Sequence, residues 1–223
     1  MIRRDYILRN VAEMAQVLAR VVSLKSRQEY EQALKEINAA LRELREGSGD
    51  DAPELSLTDW IALCRKHEQA ASGLMIAVAD LLKEQGDVLA VQNKADGSAM
   101  SRALALGLFL EGLLNGQTLV TAQLLGKVEE LFGQVRGTLT DSEVWRRLVC
   151  YFEARGRFAR AEDALFAWLA AGDTAAMTEG LLFYRRLGDQ NDAILEQGDL
   201  PRAELEQGRR EFEAAGQKIL RPG

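Results

Sequence analysis

Apolar residues recur at steps of three and four along most of this chain, and only three prolines interrupt its 223 residues. That spacing lines side chains along one face of an α-helix, whereas a strand would need alternation. Leu, Ala, Glu, Arg and Gln dominate, and they lose little side-chain entropy in a helix. β-branched residues form no alternating runs. The fold class is therefore all-α. Hydrophobic residues at 47% and charged residues at 28% supply enough apolar material to bury a core, which excludes wholesale disorder.

The punctuation divides the chain into helices. Ile7, Val11, Met14, Leu18 and Val21 make the stripe of a first helix over 3–24. Ser26 to Glu29 reads as a capping box opening a second helix over 27–45, folded back on the first. The acidic, glycine-rich stretch 46–54 ends this hairpin. Further helices are expected over 57–66, from about 68 to 93 with a break at Gly86, over 98–114 after a stop at Asp96-Gly97, and over 118–135. Thr140 to Glu143 reads as another capping box, opening a helix that ends at Ala154. Helices over 158–171, 175–187 and 193–197 follow, and Asp199 and Pro201 start a last one ending near Ala215. This gives an N-terminal hairpin at 1–46, a central helical region at 57–138 and a repeat region at 139–217, stacked continuously.

The repeat region rests on 34 residues, Ser142 to Ala175. Trp145, Leu148 and Phe152 form the inner stripe of one helix. Gly156 frees the turn, and small Ala161 lets the second helix approach. Phe158, Leu165 and Trp168 complete the spacing, which resembles a tetratricopeptide repeat. Val149, Trp168 and Asp173 depart from that pattern, the last standing where it has Pro. Tyr30, Ala33, Ile37 and Ala40 echo its second half, and Gly198, Leu200 and Ala203 echo it again. The resemblance implies antiparallel helix pairs stacked in a right-handed superhelix. The opening Met1-Ile2-Arg3-Arg4-Asp5-Tyr6-Ile7-Leu8-Arg9, Tyr30-Glu31-Gln32-Ala33-Leu34 and Ala79-Asp80-Leu81-Leu82-Lys83-Glu84 are similar to an uncharacterised bacterial family of such helical proteins. That likeness implies fold and bacterial origin and carries no mechanism.

Chemistry is sparse. A net charge of −6 gains nothing from the counterion release that drives nucleic-acid binding. The one histidine, His67, shares a helical face with Cys64, but two ligands do not make a zinc site. A thiol–imidazole pair lacks an orienting group and an oxyanion hole. No glycine-rich phosphate loop or nucleophile elbow occurs. No catalytic residue, cofactor or metal is expected. The apolar stretch Ala103 to Leu114 reads as too short to span a membrane, and a cytoplasmic location follows as the default.

Stacked helix pairs offer a concave surface lined by the first helix of each pair. Here it would carry Glu143, Arg146, Cys150 and Glu153, with Arg185 from the next pair. Arg146 and Cys150 do not meet the Lys and Asn pattern with which tetratricopeptide domains grip a C-terminal carboxylate. The expected function is a non-catalytic scaffold for a protein or peptide partner. A helical enzyme or small-molecule binder with an unrecognised pocket, and a structural homo-oligomer, stay open as alternatives, the last with a homodimer as its simplest form.

Overall fold

The computed structural model describes residues 2–46, 55–67, 70–115 and 120–220. Among these residues it contains eleven helices and no strand. The chain divides into two compact units, Met1–Thr138 and Leu139–Gly223.

The first unit holds α1 (Ile2–Ser26), α2 (Tyr30–Glu46), α3 (Leu57–Arg65), α4 (Ala71–Val91), α5 (Ala95–Leu114) and α6 (Ala122–Val135). Its core is the α4–α5 pair. Every residue from Ala105 to Gly112 is buried, so α5 has no solvent face over these two turns and touches α3, α4 and α6. At 20 residues it is long and apolar enough to cross a membrane by length and composition alone. The expectation of a shorter segment missed this because α5 begins at Ala95, ahead of the expected stop. Asp96-Gly97 lies in its first turn. The chain reverses instead at Gln92 to Lys94, where Asn93 takes a left-handed φ of 59°. Asn tolerates that conformation because its short polar side chain bonds locally.

Gly86 does not break α4. It permits close packing: a Cβ there would lie 2.6 Å from Arg102 Cγ and 3.1 Å from the Ser98 carbonyl oxygen. Ser98 Oγ donates to the Gly86 carbonyl at 2.8 Å across the same contact. Next to it, Asp87 accepts from Arg102 at 2.9 Å, Lys83 at 3.1 Å and Lys25 at 3.3 Å, joining α5, α4 and α1. Burial pushes this carboxyl upward, but Arg102, Lys83 and Lys25 together outweigh it and hold it below its ordinary range. Of the α1 stripe, Met14 and Val21 are buried where α1 meets α2 and α4, and Val11 and Leu18 are half-buried. Ile7 has its backbone in α1, but its side chain lies outside the described ones.

Two expected capping boxes are not formed. Ser26 is the last residue of α1 and its hydroxyl donates to the Ser23 carbonyl; Gln28, with φ 63°, makes the turn. A box does form at Ser56, whose Oγ accepts from Asp59 N while Asp59 accepts from Ser56 N. Ahead of the second unit the cap is Asp141, accepting from Glu143 N at 2.8 Å, which leaves the Glu143 carboxylate for other partners. The α6 helix starts at Ala122 behind a Thr121 cap, and Thr118 lies outside the described residues.

The second unit holds α7 (Ser142–Ala154), α8 (Phe158–Ala170), α9 (Ala175–Gly188), α10 (Asp192–Gln197) and α11 (Arg202–Leu220). Gly156 turns the chain with a φ of 65°, and α8 packs on α7. Trp145, Phe152, Phe158 and Trp168 are all buried. Asp173 ties the ends of α7, α8 and α9 together. Its carboxylate accepts from Trp168 Nε1 at 2.7 Å and from the Ser142 hydroxyl, and it caps Ala175 N at 2.9 Å.

The α11 helix runs past the expected end at Ala215 and packs on α9 and α8. Of the third echo, Leu200 is buried, whereas Ala203 is exposed. The α11 face is instead Leu205, Gly208, Phe212 and Gly216, and Phe212 seats directly over Gly180, where a Cβ would lie 2.4 Å or less from two ring carbons.

Phe212→Ala should cost about 3–5 kcal/mol of unfolding free energy, read by urea denaturation. A loss under about 1 kcal/mol would mean that α11 does not dock through this ring. Asp87 is stabilising above its ordinary value of 3.8, and that contribution is lost as pH falls through the lower folded value. Asp87→Asn should therefore lower the melting temperature at pH 7, and the gap to the wild type should narrow as pH falls below 3.8. A constant gap at all pH values would contradict this.

Candidate protein-interaction face

On α7 the residues Glu143, Arg146, Cys150 and Glu153 follow each other at steps of three and four, and therefore share one face. The opposite face carries the buried Val144, Leu148, Tyr151 and Phe152. Helix α9 lies alongside and contributes Glu179 and Arg186. Arg186 forks onto Glu153, donating from Nε to Oε1 at 2.8 Å and from Nη2 to Oε2 at 2.7 Å. The same Nη2 donates to Glu179 at 3.0 Å. This planar bidentate pairing fixes α9 against α7 in register.

Glu143 anchors the other end. It accepts from Arg147 at 2.6 Å and Arg146 at 3.0 Å, and these guanidinium groups hold its carboxyl below the usual range. Arg147 is buried, whereas the Arg146 side chain is 47% exposed and that of Arg186 41%. Three carboxylates thus face three guanidinium groups, a charge mosaic balanced in sign, with donors still presented to solvent.

Cys150 sits half-buried at its centre. Burial pushes its thiol up, Glu179 and Glu153 push the same way, and Arg146 and Arg186 oppose them. The net rise leaves it protonated at neutral pH, the opposite of an activated nucleophile. Cys64, in the first unit, is fully buried and pushed up to about 12 by burial alone. His67 is half-buried, and desolvation with neighbouring Lys66 lowers its pKa. Among the described residues no group of three or more His, Cys, Asp or Glu side chains is placed to hold a metal.

Of the residues expected on this face, Glu143, Arg146 and Glu153 come together. Arg185 does not join them; it is exposed, and its neighbour Arg186 makes the contact. Glu179 was likewise not legible. Within α9 alone, Glu179 and Arg186 are simply acid and base seven residues apart, and only the packing of α9 on α7 aims them at Glu153.

The model of a family of unknown function, DUF6483, matches residues 1–215. The chain belongs to that family. Among curated proteins and among solved structures, none matches the chain. This DUF6483 member thus carries its charged α7–α9 face within the span that the family model describes.

The electrostatics around Cys150 predict opposite shifts for two variants. Glu179→Gln should lower the apparent thiol pKa, and Arg146→Gln should raise it, read as the pH dependence of alkylation in the native protein. Fully buried Cys64 should not contribute. Shifts of the same sign would contradict the placement of these side chains.

Proposed function

We propose that the protein is a non-catalytic interaction scaffold of tetratricopeptide-like type and that the α7–α9 face grips a protein or peptide partner. The observation that carries the reading is the side-by-side placement of α7 and α9. It turns Glu143, Arg146, Glu153, Glu179 and Arg186 into one charged, half-open surface above a buried repeat core. Surfaces of this kind, lined by the first helices of successive pairs, are how helical repeats bind extended segments. Spacing over Ser142 to Ala175 supports the repeat, and the left-handed turn at Gly156 is in keeping with it. The raised Cys150 thiol supports a binding role over a catalytic one.

Affinity capture from the native host, with wild-type bait and Arg146→Glu bait in parallel, tests this. Arg146 is half-exposed and loses only its pair with Glu143, so the variant should stay folded with a modestly lowered melting temperature. The expected result is a stoichiometric partner held by the wild type and lost at least about tenfold by the variant, the usual effect of reversing a charge that pairs across an interface. Recovery of the bait alone, or equal capture by both baits, would refute the reading.

A further inference from the structure

The first unit contains a groove that the scaffold reading leaves unused. It has a volume of about 390 Å³ and is bounded by α2, α3, α4 and α5. Its walls are mixed: Leu41, Trp60 and Leu82 are buried beneath it with Leu104 beside them, and Asn38, Arg42, Arg45, Gln85 and Ser101 supply the polar part. Met100 stands at the rim with half of its surface exposed. That volume falls in the range of sites that enclose small molecules, roughly 300–1,000 Å³.

Its charge is distinctive. Across the whole chain acids outnumber bases, 34 to 28. Yet among the described residues lining this groove there are two arginines, Arg42 and Arg45, and no carboxylate. They lie three residues apart on α2 and so on one side of that helix. Arg42 is exposed and makes no hydrogen bond or ion pair among the described residues. The other polar groups of the groove, Asn38 on α2, Gln85 on α4 and Ser101 on α5, are bonded to one another: Ser101 Oγ donates to Gln85 Oε1 at 2.8 Å, and Gln85 Nε2 donates to Asn38 Oδ1 at 2.8 Å. A polar ligand group therefore finds its partner in Arg42, whose guanidinium fork suits a carboxylate or phosphate oxygen pair.

We propose that this groove binds a small anionic amphiphile, with an aliphatic body against Leu41, Trp60, Leu82 and Leu104 and an anionic head on Arg42. A neutral molecule of the same body leaves the guanidinium without a counter-charge, and a cationic one is repelled by it. The site is independent of the α7–α9 face, so either reading can fail without the other.

Isothermal titration of the full chain with octanoate, octanol and octylammonium, all below their micellar range, tests the proposal, with Trp60 emission followed alongside. Trp145 and Trp168 lie in the other unit and should report no local change. Octanoate is expected to bind with one-to-one stoichiometry, and octanol and octylammonium at least about tenfold more weakly, the scale of one charge-assisted hydrogen bond. Arg42→Gln should weaken octanoate by a similar factor. Leu104→Trp should fill the groove and abolish binding. Met100→Glu changes only a rim residue, and should weaken binding with an unchanged melting curve even if Leu104→Trp folds poorly. Equal binding of octylammonium, unaltered affinity in Arg42→Gln, or no heat and no Trp60 response with octanoate would each overturn it.

Discussion

The α4–α5 contact is the constraint on which the rest of the first unit depends. Two helices approach closely only where side chains are absent or short, and here Gly86 faces Ser98 with a hydroxyl-to-carbonyl bond across the gap. That approach brings Arg102 onto Asp87, and Asp87 in turn draws Lys83 and Lys25. A single carboxylate thus collects cations from three helices. Its position follows from the neighbouring glycine more than from its own charge, because an ion pair in a half-buried site repays its desolvation only when the geometry is good.

The second unit uses glycine in the same way but with an aromatic partner. Gly180 receives the Phe212 ring, and Tyr184 lies against that ring with centroids 5.8 Å apart. Behind it, Tyr184 donates its hydroxyl to Glu162 at 2.7 Å, so a partly buried acid gains a partner where α8, α9 and α11 meet. With α9 fixed from behind by this packing, the Arg186 fork on Glu153 becomes an orienting contact on the open side. The charged face owes its shape to the apolar one beneath it.

The helical class and most helix boundaries could be read from spacing, because both rest on local physics: Ile37, Leu41 and Leu44 on α2, or Leu148 and Phe152 on α7, fall on one face and are buried there. Local hydrogen-bond competition was harder to read. Ser26 and Thr140 had the right residues for capping boxes, yet Ser26 ends α1 and Asp141 caps α7 in place of Thr140, since a cap depends on where the preceding chain arrives. Glycine was misread at Gly86, where absence of a side chain serves a neighbouring helix and not a turn. On the candidate face, Glu143, Arg146 and Glu153 were visible as a helical stripe. Glu179 and Arg186 were not, because their partner lies on another helix and no spacing within α9 points to it.

The composition of α5 has a consequence for biosynthesis. A 20-residue helix of this apolarity, met alone as it leaves a ribosome, offers the same surface that chaperones and membrane-insertion machinery select. Helices α3 and α4 precede it in the chain and supply two of its three covers, so both are already synthesised when α5 emerges. Only α6 must still arrive. The order of the helices therefore shortens the time for which α5 stays uncovered, and a rearranged chain that placed α5 first would lengthen it.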